Sequence, residues 1–253
     1  MKRNNEDYFY ISGKHYDTIA RSRKKHNRVP FFVKQAKQHG DPVLELACGT
    51  GRISIPIAEQ GMLVTGLDFS DIMLDHAIRK SKENNVSIEW VKGDMTNFNL
   101  KKKFSTIIMT GAAMNWILDN KSIENCLICV RKHLRKNGRF IFDVFNPNLD
   151  ILQRDGSEIY PMYEYPNPDG EGTVIVSGSN TYDKVSQINF FKSYYKIENK
   201  EIVKNLKLRM FYPQELDALL YYNGFSIEKK YGSFEEKPFY SDSNLQIVVC
   251  HKT

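Results

Sequence analysis

The stretch VLELACGTGRISIPIAEQG, from Val43 to Gly61, decides the fold of this chain. It begins with a short apolar run, passes through small residues and the glycines Gly49 and Gly51, and continues with apolar residues at helical spacing. This pattern predicts a strand, a tight turn and a helix. A glycine turn between a strand and a helix is typical of sites that hold nucleotide-type cofactors.

The same alternation of strand and helix patterns continues to about residue 145. After a helical N-terminal region, strands are predicted at residues 43–47, 63–67, 87–91, 105–110 and 139–144. Helices are predicted at residues 50–60, 71–83 and 121–136, the last closed by a C-terminal cap at Asn137 and Gly138. Such alternation predicts a parallel sheet with helices on both faces.

A different pattern occupies residues 146–210, where Pro, Gly and Tyr are frequent and short polar turns separate strand-like segments. These features predict antiparallel strands. A helical pattern resumes near Pro213 and is followed by two more strand candidates. We therefore predict a cofactor-binding core with an N-terminal helical lid at 1–145, a β-rich substrate or lid insertion at 146–210, and a return to the core at 211–253.

Length and composition indicate a cytoplasmic protein without a membrane partner. With 253 residues, of which 41% are hydrophobic, the chain can bury a large core. Its N-terminal segment has no apolar run of signal-peptide length, and no 18 consecutive residues are apolar. Four cysteines are few for a disulfide framework. Cys126 and Cys129 fall in a helical pattern without further metal-ligand partners, so we expect structural thiols and no metal.

Positive charge is concentrated at the N-terminus, where residues 1–40 hold ten Lys or Arg against three Asp or Glu. The densest part, RSRKKHNR from Arg21 to Arg28, can meet a phosphate backbone or an acidic substrate. A solvated helix face explains the same charges, and we favour that interpretation. A nucleic-acid partner is therefore not favoured.

Two classes of ligand compete for the glycine turn: a pyrophosphate dinucleotide and an adenosine that carries a sulfonium. Both need a carboxylate for the ribose diol at the end of the second strand, and Asp68 is placed for it, 17 residues after Gly51. The dinucleotide fingerprint G-x-G-x-x-G lacks its third glycine here, because Ser54 stands at that position. Glu45, four residues before Gly49, would repel a pyrophosphate and attract a cationic amino-acid arm.

The segment VKGDMTNF after the third strand offers a third discriminator. Asp94 is placed to accept a hydrogen bond from an adenine amino group, and Met95 would supply an apolar edge. All three features favour the sulfonium ligand, S-adenosylmethionine, over a dinucleotide.

Four segments carry a family resemblance: ELACGTGR, GLDFS..ML, GDM and GRFIFDVFNPN resemble the successive motifs of class I S-adenosylmethionine-dependent methyltransferases. The resemblance covers residues 43–146, and residues 213–250 are similar to the last segment of that family. It implies an α/β fold: a Rossmann-like seven-stranded sheet, mostly parallel with an antiparallel last strand and helices on both faces, here with the antiparallel β insertion.

The resemblance also implies a set of cofactor-binding residues. For the methionine moiety they are Gly49 and Gly51 beneath it, Glu45 or the nearby backbone of Ala47 toward its ammonium, and the backbone of Thr110 and Gly111 at the sulfonium. For the adenosine they are Asp68 on the ribose, Phe69 and Met73 beside the adenine, and Asp94 and Met95 at its amino edge. Phe69, Met73 and Met95 also fit plain core packing, because apolar side chains are usually buried.

The segment YDTIARSRKKH is similar to the N-terminal lid of glycine N-methyltransferase-type enzymes. That resemblance implies that Arg23 holds the cofactor carboxylate and that Tyr16 covers the pocket. After the fourth strand the relatives have an Asn-Ser pair where this chain has Ala112 and Ala113. The departure puts glycine itself in doubt as the methyl acceptor.

The acceptor is predicted to be a small molecule methylated at nitrogen. An oxygen acceptor needs a general base such as His, and His15 and His133 both fit structural or surface roles. Residues 151–213 contain seven Tyr and three Phe that can form aromatic walls, with Tyr163, Tyr194 and Tyr195 as candidates. No catalytic residue is identified.

Three alternatives stay open. The first is an RNA- or protein-modifying methyltransferase that uses the basic N-terminal segment, although the turns and the Pro-Cys pair of DNA methyltransferases are missing. The second is a cofactor-binding protein without activity, and the third is a dinucleotide oxidoreductase. The sequence is compatible with a monomer or a homodimer.

Overall fold

The computed structural model describes residues 11–22 and 28–253. It divides into two compact units, which we call the core unit (Asn27–Asn146 and Phe211–Thr253) and the insertion unit (Met1–His26 and Pro147–Met210). The first described helix, α1 (Gly13–Ser22), belongs to the insertion unit. No helix in the described ranges is long and apolar enough to cross a membrane.

The core unit is built on a seven-stranded sheet. Its elements are α2 (Val29–His39), β1 (Val43–Leu46), α3 (Ser54–Ala58), β2 (Val64–Asp68), α4 (Asp71–Glu83), β3 (Glu89–Lys92), β4 (Phe104–Met109), α5 (Asn120–His133), β5 (Leu134–Phe145), α7 (Pro213–Tyr222), β10 (Phe225–Tyr231) and β11 (Leu245–Lys252). The strand order is β10-β11-β5-β4-β1-β2-β3, and β11 pairs antiparallel with both of its neighbours. The predicted mostly parallel sheet with an antiparallel last strand is confirmed.

Both faces of this sheet are buried, because successive strand residues enter different hydrophobic clusters. Leu44 and Phe140 pack in one cluster with α5 and α7, whereas their neighbours Val43 and Ile141 pack in another with α2 and α3. Side chains alternate between the two faces of a strand, so each strand must be apolar on both sides. The continuous apolar strands in the sequence follow from this requirement.

The boundary between α5 and β5 differs from the prediction. The helix ends at His133, and Asn137 and Gly138 lie within β5 rather than in a helix cap. Leu134 is fully buried and already extended, so core packing ends the helix early. A Cβ on Gly138 would lie 2.8 Å from the carbonyl oxygen of Ser105, so this glycine permits close passage of β4.

The insertion unit contains a separate antiparallel sheet. Its further elements are α6 (Leu149–Leu152), β6 (Tyr160–Pro166), β7 (Thr173–Asp183), β8 (Ile188–Ile197) and β9 (Lys200–Arg209), with the strands in the order β6-β7-β8-β9. One face of the sheet packs against Ile19 of α1 in a cluster with Tyr165, Val174, Val176 and Tyr195. The predicted antiparallel strands are present, and the short helix α6 was not predicted.

Candidate functional site

The glycine turn follows β1 at the carboxyl edge of the parallel strands. Ala47, Gly49 and Gly51 all adopt left-handed backbone conformations, with φ of 54°, 55° and 73°. A Cβ built on Gly49 meets only the Cε of Met73, at 3.9 Å. The backbone of the turn is therefore open to a close-lying ligand, which is the geometry that a cofactor moiety needs.

Asp68 ends β2 beside this turn and is 3% exposed. Its Oδ2 accepts a hydrogen bond from the Gly49 N–H at 2.8 Å, and its Oδ1 accepts from the Ser70 N–H at 2.9 Å. A carboxylate oxygen can accept more than one hydrogen bond. The residue predicted for the ribose diol is thus fixed against the turn predicted for the methionine.

The four residues predicted to surround the adenine have different surroundings. Met73 of α4 is buried beside the turn, and Phe69 is half-buried. Met95 belongs to the hydrophobic core cluster, which favours its packing role. Asp94 is exposed, and its Oδ1 accepts from the N–H and Oγ–H of Thr96, both at 2.8 Å. Among these residues, Met73 is the one that the geometry places against the glycine turn.

Glu45 has its hydrogen-bond partners within the protein. Its carboxyl group is 2% exposed, and Oε2 accepts from the N–H of Ser54 at 2.9 Å and from its Oγ–H at 2.5 Å. Burial raises the pKa of Glu45 to about 8, although the two bonds from Ser54 oppose that shift. The carboxyl group thereby connects the end of β1 to Ser54, the first residue of α3, and its part in holding a ligand ammonium stays a prediction.

We expect Glu45→Gln to remove a pH dependence of stability. In the unfolded chain the Glu45 pKa is near 4.5 and in the fold about 8, so its contribution is complete below pH 4.5 and is lost as the pH rises through 8. Gln copies the protonated acid and still accepts from Ser54. Urea unfolding, measured at pH 6 and at pH 9, gives the free energy of unfolding of both proteins. Between these pH values it should fall by on the order of 2 kcal/mol more in the wild type than in the variant.

The exposed Glu59 provides the control for this comparison. A Glu59→Gln variant should follow the wild-type profile, because its carboxylate is solvated in both states. Parallel profiles for the wild type and Glu45→Gln would show that Glu45 does not titrate in this range.

Asp143 of β5 organises the loop after β4, and sequence reasoning did not single it out. Its Oδ1 accepts from the Thr110 Oγ–H at 2.6 Å and the Gly111 N–H at 3.0 Å, and its Oδ2 accepts from the Ala112 N–H at 2.9 Å. Gly111 and Ala112 are both left-handed, with φ of 77° and 56°. The buried carboxylate of Asp143 therefore fixes the conformation of the loop whose backbone is predicted to line the sulfonium.

Arg28 approaches the same loop from the start of α2. Its Nη1 lies 3.3 Å from the Thr110 Oγ1 and 3.9 Å from the Asp143 Oδ2. A Cβ on Gly111 would lie 3.0 Å from this nitrogen, and the guanidinium lies 5.7 Å from the ring centroid of Phe234. Arg28 thus supplies positive charge next to the buried Asp143. The predicted carboxylate ligand, Arg23, lies outside the described residues.

His15 is buried in the insertion unit, where it connects α1 to other residues of the unit. His15 is 1% exposed, and its Nδ1 and Nε2 lie 2.8 Å from the Tyr165 hydroxyl and 3.0 Å from the Asp169 Oδ2. Burial lowers the pKa of His15, and the hydrogen bond with Asp169 opposes this shift. The residue fastens α1 to β6 and its following turn. Tyr16, the predicted pocket cover, is half-buried on the same helix.

The three tyrosines predicted for the acceptor lie on two faces of the insertion sheet. Tyr195 is fully buried in the cluster that covers Ile19, and Tyr163 packs against that cluster. Tyr194, the residue before Tyr195, lies on the opposite face of the sheet because neighbouring strand residues alternate between the two faces. Its hydroxyl lies 3.4 Å from the Ser179 Oγ. Tyr194 and Tyr195 therefore do not line one common surface.

The thiols and His133 have structural surroundings. Cys126 is buried in the core cluster, and the Sγ of Cys129 lies 3.9 Å from the Thr96 carbonyl oxygen. The Nε2 of His133 accepts from the Leu100 N–H at 2.9 Å, and its Nδ1–H donates to the Cys129 carbonyl at 2.7 Å. Within residues 11–22 and 28–253, no three His, Cys, Asp or Glu side chains are grouped to hold a metal.

Comparison with known proteins gives a consistent result. A family model described as "Methyltransferase domain" matches residues 43–138. A Geobacillus sp. (strain WCH70) protein named as a methyltransferase is 30% identical over 130 residues, which are 49% of this chain and 53% of the relative. The glycine/sarcosine N-methyltransferase of Aphanothece halophytica is 24% identical over 226 residues, covering 88% of this chain and 80% of the relative. The chain thus spans about half the length of the first relative and most of the second.

Two solved structures share the fold. The CcbJ methyltransferase from Streptomyces caelestis superposes with a TM-score of 0.78 at 23% identity, covering 89% of this chain and 94% of that one. An S-adenosylmethionine-dependent methyltransferase from Clostridium acetobutylicum gives a TM-score of 0.77 at 18% identity, covering 94% and 96%. Ser54 occupies the place of the dinucleotide fingerprint's third glycine and binds Glu45 instead. Residues 43–138 therefore match a methyltransferase domain, and the chain shares the fold of known S-adenosylmethionine-dependent methyltransferases.

Proposed function

We propose that this protein is a class I S-adenosylmethionine-dependent methyltransferase that transfers a methyl group to a nitrogen atom of a small molecule. The observation that carries the proposal is the placement of the histidines. A hydroxyl acceptor needs a general base near neutral pKa, most often His, whereas a neutral amine needs only to be oriented and desolvated. Of the residues that the structure describes, no histidine is placed to act as such a base.

Each described histidine has a position that argues against this role. His15 and His133 are buried with both ring nitrogens in hydrogen bonds. His39 ends α2 just before β1 begins, and His251 pairs with Ser226 near the start of β10, so both lie at the amino edge of the sheet. His76 lies within α4 and contacts Arg79 at 2.9 Å. The glycine turn lies at the carboxyl edge.

Named relatives support nitrogen as the acceptor atom. The relative from Aphanothece halophytica is a glycine/sarcosine N-methyltransferase and aligns with 88% of this chain. A glycopeptide N-methyltransferase structure gives a TM-score of 0.61 at 20% identity. The chain also matches ubiquinone biosynthesis O-methyltransferases, but over about half its length or less. Ala112 and Ala113 stand where the glycine N-methyltransferase-type enzymes that this chain resembles have an Asn-Ser pair, which argues against glycine itself as the amine.

The chain's own residues would bind and aim the reactants. Asp68 would accept hydrogen bonds from the ribose diol, and the open backbone of Gly49 would lie under the methionine moiety. Asp143 would keep the loop from Thr110 to Ala112 in the conformation that lines the sulfonium. The cofactor supplies an activated methyl carbon. Positioning of an amine against it can contribute on the order of 7 kcal/mol or more to lowering the barrier.

The test is a methyl-transfer screen with matched acceptors. The enzyme is incubated with S-adenosylmethionine that carries a tritiated methyl group, together with amines such as sarcosine or glucosamine and with their hydroxyl counterparts, glycolate and glucose. Label in an amine product, without label in the hydroxyl counterpart, supports the proposal. Label only in an added RNA, protein or hydroxyl compound would overturn it in favour of that acceptor.

A further inference from the structure

Trp90 lies against Gly51 of the cofactor turn and against Gly66 of the neighbouring strand β2. It is a half-buried residue of β3, and its indole N–H donates to the Ser81 Oγ at 3.2 Å. A Cβ built on Gly66 would lie 2.6 Å from the indole Cε3, and one built on Gly51 would lie 2.7 Å from the indole Cη2. Contacts this short do not occur in real packing, so the indole occupies the space that side chains at both positions would need.

The geometry makes the indole a support that reaches from the sheet to the turn. Gly66 lies in β2 and pairs directly with Trp90 of β3, whereas Gly51 lies in the turn after β1. The far edge of the ring therefore touches the turn, and the near edge lies on the neighbouring strand. Gly51 has no side chain of its own to pack, so the indole supplies the packing contact at this position of the turn.

We propose that Trp90 is a positioning residue for the cofactor: it holds Gly51 and thereby the turn in the conformation that binds S-adenosylmethionine, and its fluorescence reports that binding. The inference rests on the proposed contact between the turn and the methionine moiety. In this proposal Trp90 acts through Gly51, so it is a positioning residue and not a catalytic one. The acceptor, whatever its chemistry, does not enter the argument.

The first test is calorimetric titration of S-adenosylhomocysteine into the full chain. Trp90→Leu removes the flat ring and should raise the dissociation constant at least about tenfold, because small displacements of a binding element are costly. Trp90→Phe keeps an aromatic ring on Gly51 and should stay within about threefold of the wild type. Rescue by the conservative variant separates the ring's contact with the turn from general loss of packing.

Phe225→Leu is the matched control for loss of core packing. Phe225 is a fully buried aromatic residue of β10, packed against Phe140 at 5.9 Å between ring centroids. Its truncation should lower the unfolding midpoint about as much as Trp90→Leu does, with no change in affinity for S-adenosylhomocysteine. An equal affinity loss in Phe225→Leu would overturn the inference, since the effect would then be one of stability.

The second readout is fluorescence. The chain contains two tryptophans, so Trp116→Phe leaves Trp90 as the single indole emitter. Its emission should change in intensity or wavelength as S-adenosylhomocysteine saturates the site, with the same dissociation constant as calorimetry gives. Unchanged emission at saturation would overturn the proposal, and this readout still decides if Trp90→Leu fails to fold.

The outcomes keep this inference separate from the cofactor site itself. If the wild type binds S-adenosylhomocysteine and Trp90→Leu binds it equally well, the positioning role is wrong and the site stands. If the wild type itself fails to bind, the assignment of the turn is wrong, and the role of Trp90 falls with it.

Discussion

Asp143→Asn is expected to lower the free energy of unfolding by about 3 to 5 kcal/mol, the range for breaking a buried charge network. Asp143 is 1% exposed, and its carboxylate accepts from Thr110, Gly111 and Ala112 through both oxygens. An amide can accept at one of these oxygen positions only, and its NH₂ group at the other would face an N–H donor. Arg28 would also lose the negative charge beside it. Urea denaturation of the two proteins measures the difference.

Thr110→Val gives the matched control for this network. It removes one donor to Asp143 and one acceptor for Arg28 while keeping a side chain of similar size, so the expected loss is about 1 to 2 kcal/mol. Asp143 would then still hold the N–H groups of Gly111 and Ala112. If Asp143→Asn cost no more than Thr110→Val, the loop would not depend on the charge, and the carboxylate would have no organising role.

The sequence predicts the sheet and the glycine turn because both follow from residue patterns within short, continuous segments of the chain. Apolar strands alternate with amphipathic helices, and Gly49, Gly51 and Asp68 occur at the spacing that a strand, turn and helix unit requires. These residues interact across one supersecondary unit, as the bond between the Gly49 N–H and Asp68 shows. Local spacing is enough to bring them together.

Asp143 and Arg28 were missed because their partners are remote in sequence. Asp143 binds the Thr110 hydroxyl and the backbone N–H groups of Gly111 and Ala112, 31 to 33 residues earlier, and Arg28 reaches Thr110 across 82 residues. Every residue except proline has a backbone N–H, so the residue types in a sequence do not predict which carboxylate will accept a hydrogen bond from a given N–H. The signal available was a buried Asp in the otherwise apolar run of β5, because buried carboxylates need partners.

Glu45 and the end of α5 show a second limit, in which tertiary packing overrides a local signal. The position of Glu45 near the turn predicts a charge beside the ligand and gives no sign that its carboxyl group also binds Ser54 or that burial raises its pKa to about 8. Asn137 and Gly138 form a good helix-end signal, yet Leu134 is fully buried and starts the strand first. In both cases the direction of a side chain decided the outcome.

Asp68→Asn is expected to weaken binding of S-adenosylhomocysteine by about 100-fold, equivalent to about 2.7 kcal/mol. The proposed contact of Asp68 with the ribose diol uses charge-assisted hydrogen bonds, each of which contributes more than a neutral one. The substitution also disturbs the turn, because the amide can accept from only one of the Gly49 and Ser70 N–H groups. Calorimetry measures the dissociation constant, and the fitted stoichiometry corrects for any unfolded fraction.

Asp71→Asn provides the control from the same segment. Asp71 is exposed in the first turn of α4 and forms an ion pair with Lys92 on the surface. Surface ion pairs contribute little, so this variant should bind S-adenosylhomocysteine within about twofold of the wild type. Equal affinity for Asp68→Asn and Asp71→Asn would mean that the carboxylate at the end of β2 does not contact the cofactor. The ribose would then have to be held by another group at the carboxyl edge of the sheet.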